Sequence, residues 1–115
     1  MFNKNILDDL IKNVPNLQEK TNEIKAKSED FVYEESGAAG LVKVKMHGSR
    51  KILSIEISDD LISMHDKKML QDLLKATINS AYEKVQTEAE NRWNISMTEF
   101  VLKNIDTSKF FSNLK

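Results

Sequence analysis

Apolar and seam positions recur at alternating intervals of three and four from Leu7 to Phe31, through Leu10, Val14, Leu17, Thr21, Ile24 and Ser28. This is the rhythm of a helix with one buried seam, and it predicts helix over residues 5–28. Pro15 interrupts it. A proline there removes a backbone donor and clashes with the preceding turn, so a kink or break is expected near Val14. The period then changes to two. "FVYEE" (31–35) predicts a strand with Phe31 and Tyr33 on one face. "GLVKVKM" (40–46) turns Val42, Val44 and Met46 one way and Leu41, Lys43 and Lys45 the other. "KILSIEI" (51–57) predicts a third strand with Leu53, Ile55 and Ile57 inward and Ile52, Ser54 and Glu56 outward. Alternation with one wet face points to an antiparallel sheet.

Helical spacing returns after "SDDLISMHD", with Ser63 or Asp66 as candidate N-caps. Leu70, Leu74, Ile78, Ala81, Val85, Ala89 and Trp93 mark one buried face of a long second helix ending near Trp93. A short third helix is expected near residues 97–105, followed by a tail. All three glycines, Gly37, Gly40 and Gly48, fall between the strands. Their expected use is the positive φ that tight hairpin connections require. The predicted class is α+β: a long N-terminal helix, a three-stranded antiparallel meander, a long second helix, and a short C-terminal helix or tail. The helical stripes exceed what so small a sheet can cover, which leaves apolar surface for a second copy.

The chain has 115 residues, the size of one modest domain. It contains no cysteine, which excludes disulfides, thiolate zinc sites and cysteine nucleophiles. The opening "MFNKNILDDLIKNVP" carries two early aspartates and no continuous apolar run, and no stretch reaches the length of a spanning helix. A cytoplasmic protein without a membrane partner is expected. The formal net charge is −1, so nucleic-acid contact by bulk electrostatics is not expected, and any such role rests on local charge placement.

Candidate chemistry is sparse. Gly37-Ala38-Ala39-Gly40 is followed by a strand and lacks the Gly-Lys-Ser/Thr of a phosphate loop, so it reads as a strand connection. His47 and His65 stand alone, without the convergent partners a metal needs. The carboxylate pairs Asp8-Asp9, Glu34-Glu35 and Asp59-Asp60 read as solvated caps and edges rather than as an acid–base pair across a cleft. No enzyme, cofactor, metal or small-molecule substrate is expected. The first helix is more informative. With Leu7, Val14, Thr21 and Ser28 at heptad position a, Lys4 and Lys25 fall at e and Lys20 and Lys27 at g. Acids take the outer positions, so an acidic chain gains a basic edge along its seam.

"ESGAAGLVKVKMHG" (35–48), "ILSIEIS" (52–58) and "DKKMLQDLLKATINSAYEKV" (66–85), together with the style of the opening helix, resemble the YbaB/EbfC family of bacterial nucleoid-associated proteins. The resemblance spans residues 1–93 as one α-β-β-β-α domain and leaves 94–115 as a C-terminal extension. It implies a tweezer-like cytoplasmic homodimer at the nucleoid. Helices projecting from it would bind double-stranded DNA with weak or modest sequence preference. By element, it implies DNA contact by Lys20, Lys25 and Lys27 on the helix after Pro15, and by Lys84 and Arg92 on the second helix. Two departures stand out: Pro15, and a Phe- and Asn-bearing tail where the family commonly has Gly, Pro and Met. Two other readings fit the residues. One is a dimeric protein-interaction module, favoured by the acidic pI. The other is single-stranded RNA binding on the sheet, for which only Phe31 and Tyr33 are available, both core-facing by alternation.

Overall fold

A computed structural model describes residue 8 and residues 11–104. The elements are α1 (Leu17–Ser28), β1 (Val32–Gly37), a 3₁₀ turn (Ala38–Gly40), β2 (Val42–His47), β3 (Ile52–Ile57), α2 (Asp59–Ser63) and α3 (Lys67–Asn104). The break expected at Pro15 is present. Residues 11–13 are helical, Val14 leaves the helix, and Asn16 enters the left-handed region at φ 60° before α1 starts. Val14 is nonetheless buried, packed with Val101, Leu17 and Phe100. The proline therefore turns the chain without releasing it from α3.

The strands form an antiparallel meander in the order β1-β2-β3. Val42, Val44 and Met46 on the central strand are fully buried, and with Leu61, Ala81 and Val85 they make the core. α3 packs across β1 and β2. The third strand departs from simple alternation. Lys45 pairs with Ser54, but Met46 pairs with Ile52, so a bulge lets Ile52 take the place that alternation assigns to Leu53. β3 is an edge strand, and Ile52, Leu53 and Ile55 all remain substantially exposed.

Asp66 is the cap of α3, its Oδ1 accepting from the Met69 amide at 3.0 Å. Ser63 instead closes α2, whose own cap is Ser58, accepting from the Asp60 amide at 3.3 Å. α3 does not end near Trp93. It runs unbroken for 38 residues to Asn104 and absorbs the expected third helix. No Gly or Pro interrupts it, and Met97 and Val101 extend its buried stripe past the sheet. At 1.5 Å per residue it is roughly 57 Å long. The radius of gyration is 20.8 Å, against about 13 Å for a compact chain of this length. The excess comes from a two-helix arm, α1 antiparallel on the far half of α3, projecting from the sheet.

Gly40 serves the purpose expected of it, and Gly37 and Gly48 serve a different one. Only Gly40 has a positive φ, at 92°. A Cβ at Gly37 would collide with the Thr77 side chain, and one at Gly48 with the backbone of Glu29. These two glycines let α3 and the end of α1 approach the sheet. Left-handed backbone in the connections is carried by Ala38, Ala39 and Arg50 as well as Gly40.

Candidate nucleic-acid interface

The arm is built from two faces of sequence. Leu17, Thr21, Ile24 and Ser28 turn inward on α1, and the buried Ser28 hydroxyl is satisfied by donating to the Ile24 carbonyl at 2.7 Å. Three-point-six periodicity then puts Lys20 and Lys27 on one flank of α1 and Lys25 on the other. The lysines read from the sequence as one basic edge are thus divided between two flanks. Lys20 lies 3.6 Å from Glu23 across an exposed turn. Among the described residues, Lys25 and Lys27 have no carboxylate within ion-pair distance. Both sit in the last turn of α1, where the helix dipole favours cations.

The two candidates on α3 are held differently. Arg92 bonds Glu88 at 2.8 Å and lies 4.3 Å over the Phe31 ring. Its charge is shared between a carboxylate and an aromatic face, so it braces α3 against the start of β1. Lys84 reaches Glu35 at 2.9 and 3.0 Å, contacting both carboxylate oxygens. Neither residue joins the lysines of α1 in one patch.

Glu35 is the residue that sequence reasoning misplaced. It is not a solvated strand edge but is 8% exposed, facing α3. The Ser80 hydroxyl, the Lys84 ammonium and the Tyr33 hydroxyl all donate to it. The Ser80 hydrogen bond is the main cause that holds its carboxyl below the ordinary value; burial pushes the other way, and Lys84 and Tyr33 add to the lowering. Lys84 is pushed up in turn, chiefly by its bond to Glu35 and then to Tyr33. The available signal was alternation itself: Tyr33, Glu35 and Gly37 share one face of β1.

At the other end of the sheet, Arg50 clips the β2–β3 hairpin to α1. Its Nη1 donates to Glu29 at 2.7 Å and to the Gly48 carbonyl at 2.9 Å. The tip itself closes through His47, whose amide donates to the Lys51 carbonyl at 2.8 Å. Among the described residues no group of three or more His, Asp or Glu side chains is placed to hold a metal ion. No helix among them is long and apolar enough to cross a membrane.

Comparison with known proteins decides what this arrangement belongs to. The profile of the YbaB/EbfC DNA-binding family matches residues 3–99. The chain belongs to the YbaB/EbfC DNA-binding family. It is 34% identical over 105 residues to a nucleoid-associated protein of Buchnera aphidicola, covering 90% of this chain and 94% of that one. A nucleoid-associated protein of Neisseria meningitidis serogroup C is 36% identical over 91 residues, covering 77% and 82%. In structure the chain is similar to the crystal structure of an uncharacterized protein from Helicobacter pylori, at 25% identity and a TM-score of 0.54, over 70% of this chain and 90% of that one. The YbaB/EbfC profile extends past Trp93, in keeping with an α3 that continues through that residue.

Proposed function

We propose that two copies of this YbaB/EbfC chain pair through the β3 side of the sheet, and that their α1–α3 arms bind double-stranded DNA at the nucleoid. The observation that carries the reading is the shape of the monomer. A two-helix arm bearing Lys20, Lys25 and Lys27 projects from a sheet whose β3 edge is left uncovered by the described residues. The family membership and the nucleoid-associated names of the relatives support DNA as the partner. An arm with few cations neutralises few phosphates, so affinity per arm is low and falls as salt displaces it. Two arms on one body raise it by bivalency. Lys20, Lys25 and Lys27 are the primary contacts. Lys84 and Arg92 lie nearer the body and contribute field rather than direct pairing, because each is bonded to its own carboxylate. Gln18 and Asn22 on the exposed face of α1 bond each other at 3.2 Å, which fits weak or modest base preference.

The test is fluorescence anisotropy of a labelled duplex at two salt concentrations. The Lys20→Gln, Lys25→Gln, Lys27→Gln variant should bind more weakly, and its log–log salt dependence should flatten by about 0.9 for each phosphate that is no longer neutralised. Unchanged affinity and slope would remove the arm from the interface. No saturable binding of the parent chain even at low salt would instead favour a dimeric protein-interaction module.

A further inference from the structure

Where the end of α1, the tip of the β2–β3 hairpin and the stretch of α3 around Trp93 converge lies a cavity of about 450 Å³, within the range of small-ligand sites. The half-buried Trp93 and the buried Ala89 give it an apolar wall. The polar groups around that wall are largely uncommitted. Lys25 has no carboxylate within ion-pair distance among the described residues. Arg50 spends Nη1 on Glu29 and the Gly48 carbonyl, and its other N–H donors have no acceptor among the described residues. The Asn94 amide makes no hydrogen bond among them, and Glu90 receives only a long bond of 3.4 Å from Gln86. The tail expected after Asn104 lies outside the described residues, and the site uses none of it.

We propose that this cavity binds an adenine nucleotide, with the base against Trp93, its amino edge toward Asn94 and Glu90, and its phosphate toward Lys25 and Arg50. Stacking on Trp93 favours any nucleobase and by itself chooses none. The choice comes from the edge. An Asn amide pairs with the amino group and adjacent ring nitrogen of adenine, and a carboxylate accepts from an exocyclic amino group. Thymine presents a carbonyl oxygen there, which the Glu90 carboxylate repels. The phosphate completes the match. Glu29 balances the charge of Arg50 at 2.7 Å, so Lys25 supplies the uncompensated positive charge and the guanidinium supplies further donors. A purely apolar ligand would leave these groups unpaired, and a simple anion would leave Trp93 and Ala89 uncovered. Free adenosine monophosphate and an unpaired adenine in a DNA strand offer the same chemistry. The site itself does not rest on the DNA reading.

Trp93 is the only tryptophan of the chain, so its emission reports on the cavity directly. Adenosine monophosphate should quench it saturably, and thymidine monophosphate should bind roughly tenfold more weakly. The Glu90→Ala, Asn94→Ala double variant should erase that preference, and Lys25→Gln should bring the nucleotide's affinity down to that of adenosine. All three side chains are exposed, so the variants should keep the parent's circular dichroism. A hairpin duplex with one unpaired adenine, set against the same duplex with an unpaired thymine, separates the two sources. Adenine-dependent quenching by that duplex alone assigns the site to an unstacked base of a strand; quenching by the free nucleotide alone assigns it to a soluble ligand. Either outcome supports the site. No saturable quenching by either adenine ligand, or an adenine preference that survives in the double variant, would overturn the proposal. A blue shift that grows with protein concentration in the absence of nucleotide would also overturn it, by giving the cavity to a second copy. The free-nucleotide titrations involve no duplex, so their failure is distinguishable from failure of the proposed function.

Discussion

Glu35 illustrates how one side chain sets a property of the whole domain. It is a carboxylate at the face where β1 meets α3, and its charge is retained because Ser80, Lys84 and Tyr33 supply donors to it. Such a group links stability to pH with a definite sign. Its folded pKa lies below the ordinary value of 4.5. The stability it contributes is complete above that ordinary value and is lost as pH falls through the lower folded one. The Glu35→Gln variant should therefore be less stable than the parent at neutral pH, where Ser80 and Lys84 lose a charged partner. Its thermal midpoint should also fall less steeply as the solution is acidified below 4.5. Midpoints followed by circular dichroism across the acid range check both. Parallel acid limbs for the two proteins would show that the Glu35 cluster is not a source of acid sensitivity.

At the scale of elements, cap chemistry and breakers were readable while lengths and surroundings were not. Asp66 fits its reading as a cap, and Asp66→Ala should cost about 1 kcal/mol by freeing the first-turn amide of Met69; a denaturation midpoint unmoved by the change would count against that role. Pro15 acts where its missing donor and ring clash dictate. The meander, its order and the burial of Val42, Val44 and Met46 follow from period-2 alternation. Three features did not follow. The bulge at β3 breaks the alternation that would have placed Leu53 opposite Met46. The continuation of α3 beyond Trp93 depends on Val14 and Leu17 returning along it to cover Val101 and Phe100, a tertiary fact absent from local spacing. The pairing of Lys84 with Glu35 also escaped a heptad argument confined to α1, because it depends on which face of α3 meets the sheet, whereas Arg92 with Glu88 is an i,i+4 pair that spacing along α3 already contains. The sequence therefore offered candidate cations, and folding pairs Lys20, Lys84 and Arg92 with carboxylates while Lys25 and Lys27 have none within ion-pair distance among the described residues.

At the scale of the molecule, the uncovered edge is the strongest constraint on how the arms are used. α3 spans β1 and β2 and stops short of β3, so Leu53 and Ile55 stand 49% and 43% exposed, with Ile62 at 49% and Met64 at 56% on the adjoining α2 and its end. Exposed apolar side chains beside a strand edge that is unpaired among the described residues are an invitation to another chain. In the proposed dimer a second copy would satisfy it with self-complementary symmetry, pairing β3 with β3 and fixing two arms on one body. A charge among those side chains should oppose the pairing while leaving the monomer's core intact, since Val42, Val44 and Met46 lie on the central strand beneath α3. Leu53→Lys is the suitable change because its side chain is half exposed in the monomer. Sedimentation should find the parent at twice the mass of a folded Leu53→Lys chain at the same concentration. The variant's duplex affinity should fall toward that of a single arm, because the gain from holding the second arm near its site disappears with the partner. A Leu53→Lys protein that remains dimeric would place the interface elsewhere. One that becomes monomeric but binds duplex as tightly as the parent would show that one arm suffices.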